Sequence, residues 1–156
     1  TDVSHQVILN DLLRLKKQGV IYSPYKSFYV ILPPQYALRR CVPPFYFINN
    51  LMRHLSKDYY FSTLSAAMIW GAAHQRPQQD FVTTTYPKLN TAASSKAGIH
   101  WLYRNEIPRH LVCEKQGETG TIRYSNAELT AVELVQYEQH LEKPPPEYHH
   151  LRYKRR

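Results

Sequence analysis

SHQVILNDLLRLKKQGVIYSPYKSFYVIL, residues 4–32, holds two periodicities in succession. Ile8, Leu12 and Leu15 fall at i, i+4 and i+7, with Leu9 beside them, so the first half is a helix with one apolar stripe. Ser4 is an N-cap residue type. Lys16 and Lys17 followed by Gly19 supply cations near the negative end of the helix dipole and then a left-handed cap, which ends the helix there. Val20-Ile21-Tyr22 and Phe28-Tyr29-Val30-Ile31 are β-prone runs on either side of Ser-Pro-Tyr-Lys-Ser, and together they read as a hairpin. A capped helix feeding a small hairpin with a basic tip is half of a winged helix-turn-helix.

The polar face of that helix carries the functional expectation. Gln6, Asn10, Arg14 and Lys17 gather opposite Ile8, Leu12 and Leu15, with His5 at the N-terminal end. Gln and Asn pair bidentately with adenine and Arg with guanine in the major groove. Lys26 at the hairpin tip reaches a backbone phosphate in this arrangement. Any solvated helix face carries similar residues; the hairpin placed directly after it distinguishes this one.

A helix-turn-helix needs at least one more helix ahead of its recognition helix, to cover the apolar stripe and to cross the DNA backbone. That helix is not in this sequence. Leu9, Leu12 and Leu13 are therefore expected to be short of packing partners.

The chain has 156 residues, 43% hydrophobic and 21% charged, enough for one compact domain or for a small module attached to a larger one. Its net charge of +8, with a pI near 9.5, points to an acidic partner. The distribution says more. Residues 1–58 hold eight Lys and Arg against three Asp, residues 59–143 eight of each sign, and residues 144–156 four against one, or +5, 0 and +3. A basic front and tail on a neutral body fit a surface that faces nucleic acid.

Cys41 and Cys113 lie far apart without C-x-x-C spacing and read as free thiols of a reducing cytoplasm. No apolar run approaches the roughly 18 residues a membrane span needs, and Thr1-Asp2-Val3-Ser4 does not begin a signal peptide. A cytoplasmic protein with no membrane partner is expected.

Pro33-Pro34 and Pro43-Pro44 bracket a stiff connector, which divides the chain into a helix-hairpin unit over 1–40, a body over 45–141 and a basic tail over 142–156. The body opens on helical spacing from Phe45 to Leu55, with Ile48, Leu51, Met52 and Leu55 on one face. A second helix is expected over Thr63–Ala73, capped by Ser62. Phe81–Thr85, Ile99–Tyr103, Leu111–Glu114 and Thr119–Tyr124 are β-branched or aromatic runs between breakers and predict four strands. The last two pair antiparallel through Lys115–Glu118, with Gly117 in the turn. Ser125-Asn126-Ala127-Glu128 has the form of a capping box, Ser at N-cap and Glu at N3, opening a helix whose inward face carries Leu129, Val132, Val135 and Tyr137. The fold class is α+β, a partial winged helix-turn-helix followed by a mixed helix and antiparallel-sheet domain.

No catalytic signature is present: no G-x-S-x-G elbow, no phosphate loop and no H-E-x-x-H. A nuclease is the enzymatic alternative, with Asp80, Glu114 and Lys115, but the adjacent Glu114 and Lys115 fall on opposite faces of a strand. A cavity joining two or more of Asp80, Glu114, His100 and His110 would favour it. His54 and Asp58, at i and i+4, read as a surface pair rather than half a metal site, and His149-His150 as an adventitious one. No metal, cofactor or catalytic residue is expected. The third reading is a DNA-binding module whose second domain only dimerises.

RLKKQGVIYSPYKSFYVILPPQY, then YYFSTLSAAMIWGAAHQRPQ, then ELTAVELVQYEQHL resemble, in that order, the AbiEi-like antitoxin family of bacterial type IV toxin-antitoxin systems, over about residues 8–141. The resemblance implies a winged helix-turn-helix that binds inverted repeats upstream of its operon and represses it. It further implies a second domain that counters a nucleotidyltransferase-like toxin without a stable complex. It places DNA reading on the Ser4–Lys17 helix, whose polar face carries His5, Gln6, Asn10, Arg14 and Lys17, and on the wing residues Tyr25, Lys26 and Ser27, and the antitoxin role on residues 45–141 as a whole. Homodimerisation stays open. The chain departs from the family at Ser27, where glycine is expected unless φ is negative, and after Leu141, where EKPPPEYHHLRYKRR replaces a glycine-rich continuation and final helix.

Overall fold

The computed structural model describes residues 4–90 and 97–141, with side chains described to Glu138. The tail expected over 142–156, including His149 and His150, lies outside the described residues. The described residues are α+β, with four α-helices and two sheets. Among the described residues no helix is long and apolar enough to cross a membrane.

Helix α1 (His5–Lys17) ends where its cap chemistry dictates. Gly19 adopts φ 73°, its N–H donates to the Lys16 carbonyl and the Val20 N–H to the Leu15 carbonyl, the paired bonds of a Schellman cap. Strands β1 (Ile21–Tyr25) and β2 (Phe28–Ile31) then form an antiparallel hairpin closed by Lys26 and Ser27. Ser27 sits at φ 58°, not the negative φ that would suit serine there, so the wing turn keeps the backbone of a glycine position without the glycine.

The second sheet has five strands in the order β5-β4-β3-β7-β6. Its centre is β3 (Tyr59–Phe61), a strand of three residues, all buried. Strand β4 (Asp80–Thr85) runs antiparallel to β3 on one side, with β5 (Ile99–Arg104) parallel to β4 beyond it. On the other side β7 (Gly120–Ser125) runs parallel to β3, and β6 (Val112–Gly117) pairs antiparallel with β7 at the edge. Four of these strands lie where the sequence predicts them, but the sheet is mixed and not antiparallel as expected, because β5 joins β4 and β7 joins β3 in parallel. β3 is not predicted, because Tyr-Tyr-Phe is too short to show alternation. The β6–β7 turn is Glu118-Thr119 rather than Lys115–Glu118. Gly117 instead closes β6 against Gly120, where a Cβ would stand 2.6 Å from Ile122 Cδ1.

Helix α2 (Ile48–His54) buries Ile48, Leu51 and Met52 on one sheet face against Tyr59, Phe61, Val82, Ile99 and Ile122. Tyr22, Tyr25, Phe28 and Val30 of the hairpin pack on the same cluster. Tyr22 meets Phe47 edge-on at 6.2 Å, and its hydroxyl donates to the Val42 carbonyl at 3.2 Å. The hairpin is therefore fastened to the body across the proline-rich connector.

Helices α3 (Thr63–Ile69) and α4 (Ala127–Leu141) pack on each other. Tyr60 reaches Leu129, and Phe81 stacks edge-on against Tyr137, so α4 covers the sheet opposite α2. Both caps differ from expectation. Ser62 stands ahead of α3, but its hydroxyl accepts from Thr83 Oγ1 at 2.8 Å instead of capping. At α4 the capping residue is Asn126, whose Oδ1 accepts from the Leu129 N–H at 2.9 Å. Ser125 Oγ hydrogen-bonds Thr130 Oγ1. The inward face also differs from expectation: Leu129, Thr130 and Glu133 are buried, while Val132 and Val135 face solvent.

Candidate nucleic-acid interface

Helix α1 buries no side chain at all. It rests on β1, with Leu12 and Leu15 half-covered, while Ile8, Leu9 and Leu13 remain exposed. Leu9 and Leu13 are thus exposed as expected, whereas Leu12, for which the same was expected, is half-covered. Val20, Tyr29, Ile31 and Leu38 are exposed as well, Ile31 at 74% of full exposure.

On the polar side His5, Gln6, Asn10, Arg14 and Lys17 are all exposed. Gln6 Nε2 donates to Asn10 Oδ1 at 3.3 Å, which links the two amides one helical turn apart. Arg14 lies 3.3 Å from Asp11, a pair open to water on both sides and therefore weak. Lys26 and Ser27 project from the hairpin tip. Tyr25 does not: it is half-buried, with its ring turned to the α2 core. The structure brings the helix residues together on one face and Lys26 with Ser27 at another point, the tip of the hairpin that follows the helix.

The residues weighed for an enzyme are spread over the sheet. Asp80 lies on β4 and Glu114 on β6, three strand spacings or about 14 Å apart. Asp80 is buried and accepts from Ser65 Oγ at 3.3 Å; burial lifts its carboxyl to about 6, against the pull of Arg76 and the Ser65 bond. Glu114 pairs with Arg123 at 3.0 Å. His100 lies against Phe81, and burial lowers its pKa. None of Asp80, Glu114, His100 and His110 is hydrogen-bonded to another. His54 and Asp58 do not pair as expected. His54 packs on Phe28, and Asp58 holds Arg109 at 2.6 Å and Arg123 at 3.5 Å. Among the described residues no three His, Cys, Asp or Glu side chains gather as a metal site, and Cys41 and Cys113 are free.

Sequence reasoning missed the body's principal polar cluster. Glu133 of α4 is buried and accepts from Tyr60 Oη at 2.6 Å, from the Thr63 N–H at 3.4 Å and from Arg104 at 3.5 Å. Arg104 Nη1 also donates to Tyr60 Oη at 2.9 Å. Desolvation pushes the Glu133 pKa up, and the hydrogen bonds and Arg104 oppose it. Thr63 sits at φ 47°, rare for a β-branched residue, with its Oγ1 buried and unpartnered. The Glu133 carboxylate, bonded to the Thr63 N–H, helps to hold that strained turn. The available signal was Glu133 one turn after Leu129, on the face that contacts the sheet. Set against models of known protein families and against curated proteins, the chain matches none.

Proposed function

We propose that the chain is a DNA-binding autorepressor and antitoxin of a type IV toxin-antitoxin system. In this reading α1 is the recognition helix and β1–β2 the wing of a winged helix-turn-helix that reads operator inverted repeats. The body counters a nucleotidyltransferase-like toxin without forming a stable complex, and no step is enzymatic. The observation that carries the reading is the exposed amide-and-cation face of α1, unused by the body, followed by a hairpin with a basic tip whose strands pack on the body. The charge split and the resemblance of three ordered sequence blocks to AbiEi-like antitoxins support it.

Gel shifts with the region upstream of the operon, using a version extended at its N-terminus, test the repressor half. Arg14→Ala relaxes sequence preference. Lys26→Ala weakens all sites alike and flattens the salt dependence by roughly one unit of slope. An extended protein that ignores that region at low salt overturns it.

A further inference from the structure

Strands β3 and β7 pair at a single point, Phe61 with Tyr124. Ahead of that point the two chains part, and the fork opens a cleft of about 630 Å³ between the end of α2, the start of β3 and the β6–β7 ribbon. Small-ligand sites occupy roughly 300–1,000 Å³.

Six ionised side chains line the cleft: Arg53, Lys57, Arg109, Arg123, Asp58 and Glu114. Both carboxylates are spent. Asp58 pairs with Arg109 and Arg123, and Glu114 with Arg123. Neither Arg53 nor Lys57 has a carboxylate partner among the described residues. Arg53 is exposed at the last turn of α2. Lys57 is half-buried, and its Nζ donates to the Thr85 carbonyl at 2.7 Å and the Pro87 carbonyl at 3.0 Å. Two of its three donors are therefore fixed and the third is free. The ammonium is held in place before any ligand arrives, and burial disfavours its charge, a cost that an anion would relieve.

Four cations against two carboxylates leave the cleft two positive charges in excess. A phosphate monoester carries ≈ −1.5 to −2 at pH 7 and three strong acceptor oxygens, which matches that excess. The lining gives an aromatic base no exposed aromatic ring to stack on, because Tyr59 is buried, whereas Asn49, Ser56 and Thr121 offer amide and hydroxyl groups. We propose that the cleft binds a small hydrophilic phosphate monoester, its phosphoryl group held between Lys57 and Arg53 and its polyol part by the neutral polar lining. This site is separate from α1 and does not rest on the DNA reading.

Calorimetric titration of the whole chain with glycerol 3-phosphate, inorganic phosphate and glycerol, at ionic strength matched with chloride, tests it. Both phosphates bind saturably and glycerol does not. Lys57→Gln and Arg53→Gln each weaken binding at least tenfold, and Lys115→Gln, on the exposed edge strand, leaves it unchanged. Should Lys57→Gln fail to fold, Arg53→Gln carries the test, since that exposed side chain makes no bond within the described residues. Absence of saturable binding at millimolar phosphate overturns the proposal, as does binding indifferent to both substitutions. Displacement of bound phosphate by duplex DNA, with Lys57→Gln weakening DNA to the same degree, also overturns it by making the cleft a nucleic-acid groove.

Discussion

Helices α1 and α4 are close in length, 13 and 15 residues, yet they stand in opposite relation to the fold. α1 carries the cleaner apolar stripe and buries nothing. α4 carries a weaker one and buries Leu129, Thr130 and Glu133 against the body. Amphipathic spacing therefore states which face of a helix is able to pack, and says nothing of whether anything lies there to receive it. In α4 the burial is specified by hydrogen bonds, through the Asn126 cap and the Tyr60–Glu133–Arg104 cluster.

Removing Glu133 is the strongest way to break this contrast. Glu133→Ala breaks its pair with Arg104 in a site with little access to water and strips hydrogen bonds from Tyr60 and the Thr63 N–H. The expected loss is about 3–5 kcal/mol in chemical denaturation, against about 0.5 kcal/mol or less for Glu128→Ala, nearer the start of the same helix on its exposed side. A Glu133 variant of unchanged stability would remove the polar specification of α4.

Leucine truncations compare the two regions directly. Leu51→Ala in α2 costs about 2–5 kcal/mol, because Leu51 is wholly buried. Leu13→Ala in α1, where Leu13 is 57% exposed, stays within about 0.5 kcal/mol. A loss comparable to that of Leu51→Ala would mean that α1 is covered in solution.

Asp80 sharpens the comparison through pH. Its pKa is raised from 3.8 to about 6, so the folded chain holds the proton more tightly than the unfolded chain. The stability tied to that proton is fully present below about pH 4 and is lost as pH rises through about 6. Asp80→Asn should match the parent near pH 4 and exceed it by about 1–3 kcal/mol at pH 7–8, read from denaturation midpoints at the two pH values. Equal midpoints at both would show that Asp80 is not desolvated.

The smallest effect lies in the hairpin. Ser27→Gly relieves a left-handed backbone at φ 58° and should stabilise the chain by about 0.5–1 kcal/mol in thermal unfolding. Unchanged or lower stability would show that the tip does not keep this conformation.

The residues of α1, its Gly19 cap, the hairpin and four of the five large-sheet strands were legible along the chain, because each depends on neighbours within a few positions. So was the grouping of Gln6, Asn10, Arg14 and Lys17, which follows from helical periodicity alone. Caps and faces were less secure. Ser125 and Asn126 both suit an N-cap, and the inward face of α4 keeps Leu129 but takes Thr130 and Glu133 in place of Val132 and Val135, because the polar pair finds buried partners.

Local chemistry by itself determined the helix-hairpin front, the α+β class and the uneven charge. Only tertiary structure decided that Tyr59-Tyr60-Phe61 is the sheet's central strand, that Glu133 meets Tyr60 across 73 positions, and that cations distant in sequence share one cleft. Those outcomes depend on pairings between remote segments, and whether a buried charge is tolerable depends on partners that no local window contains.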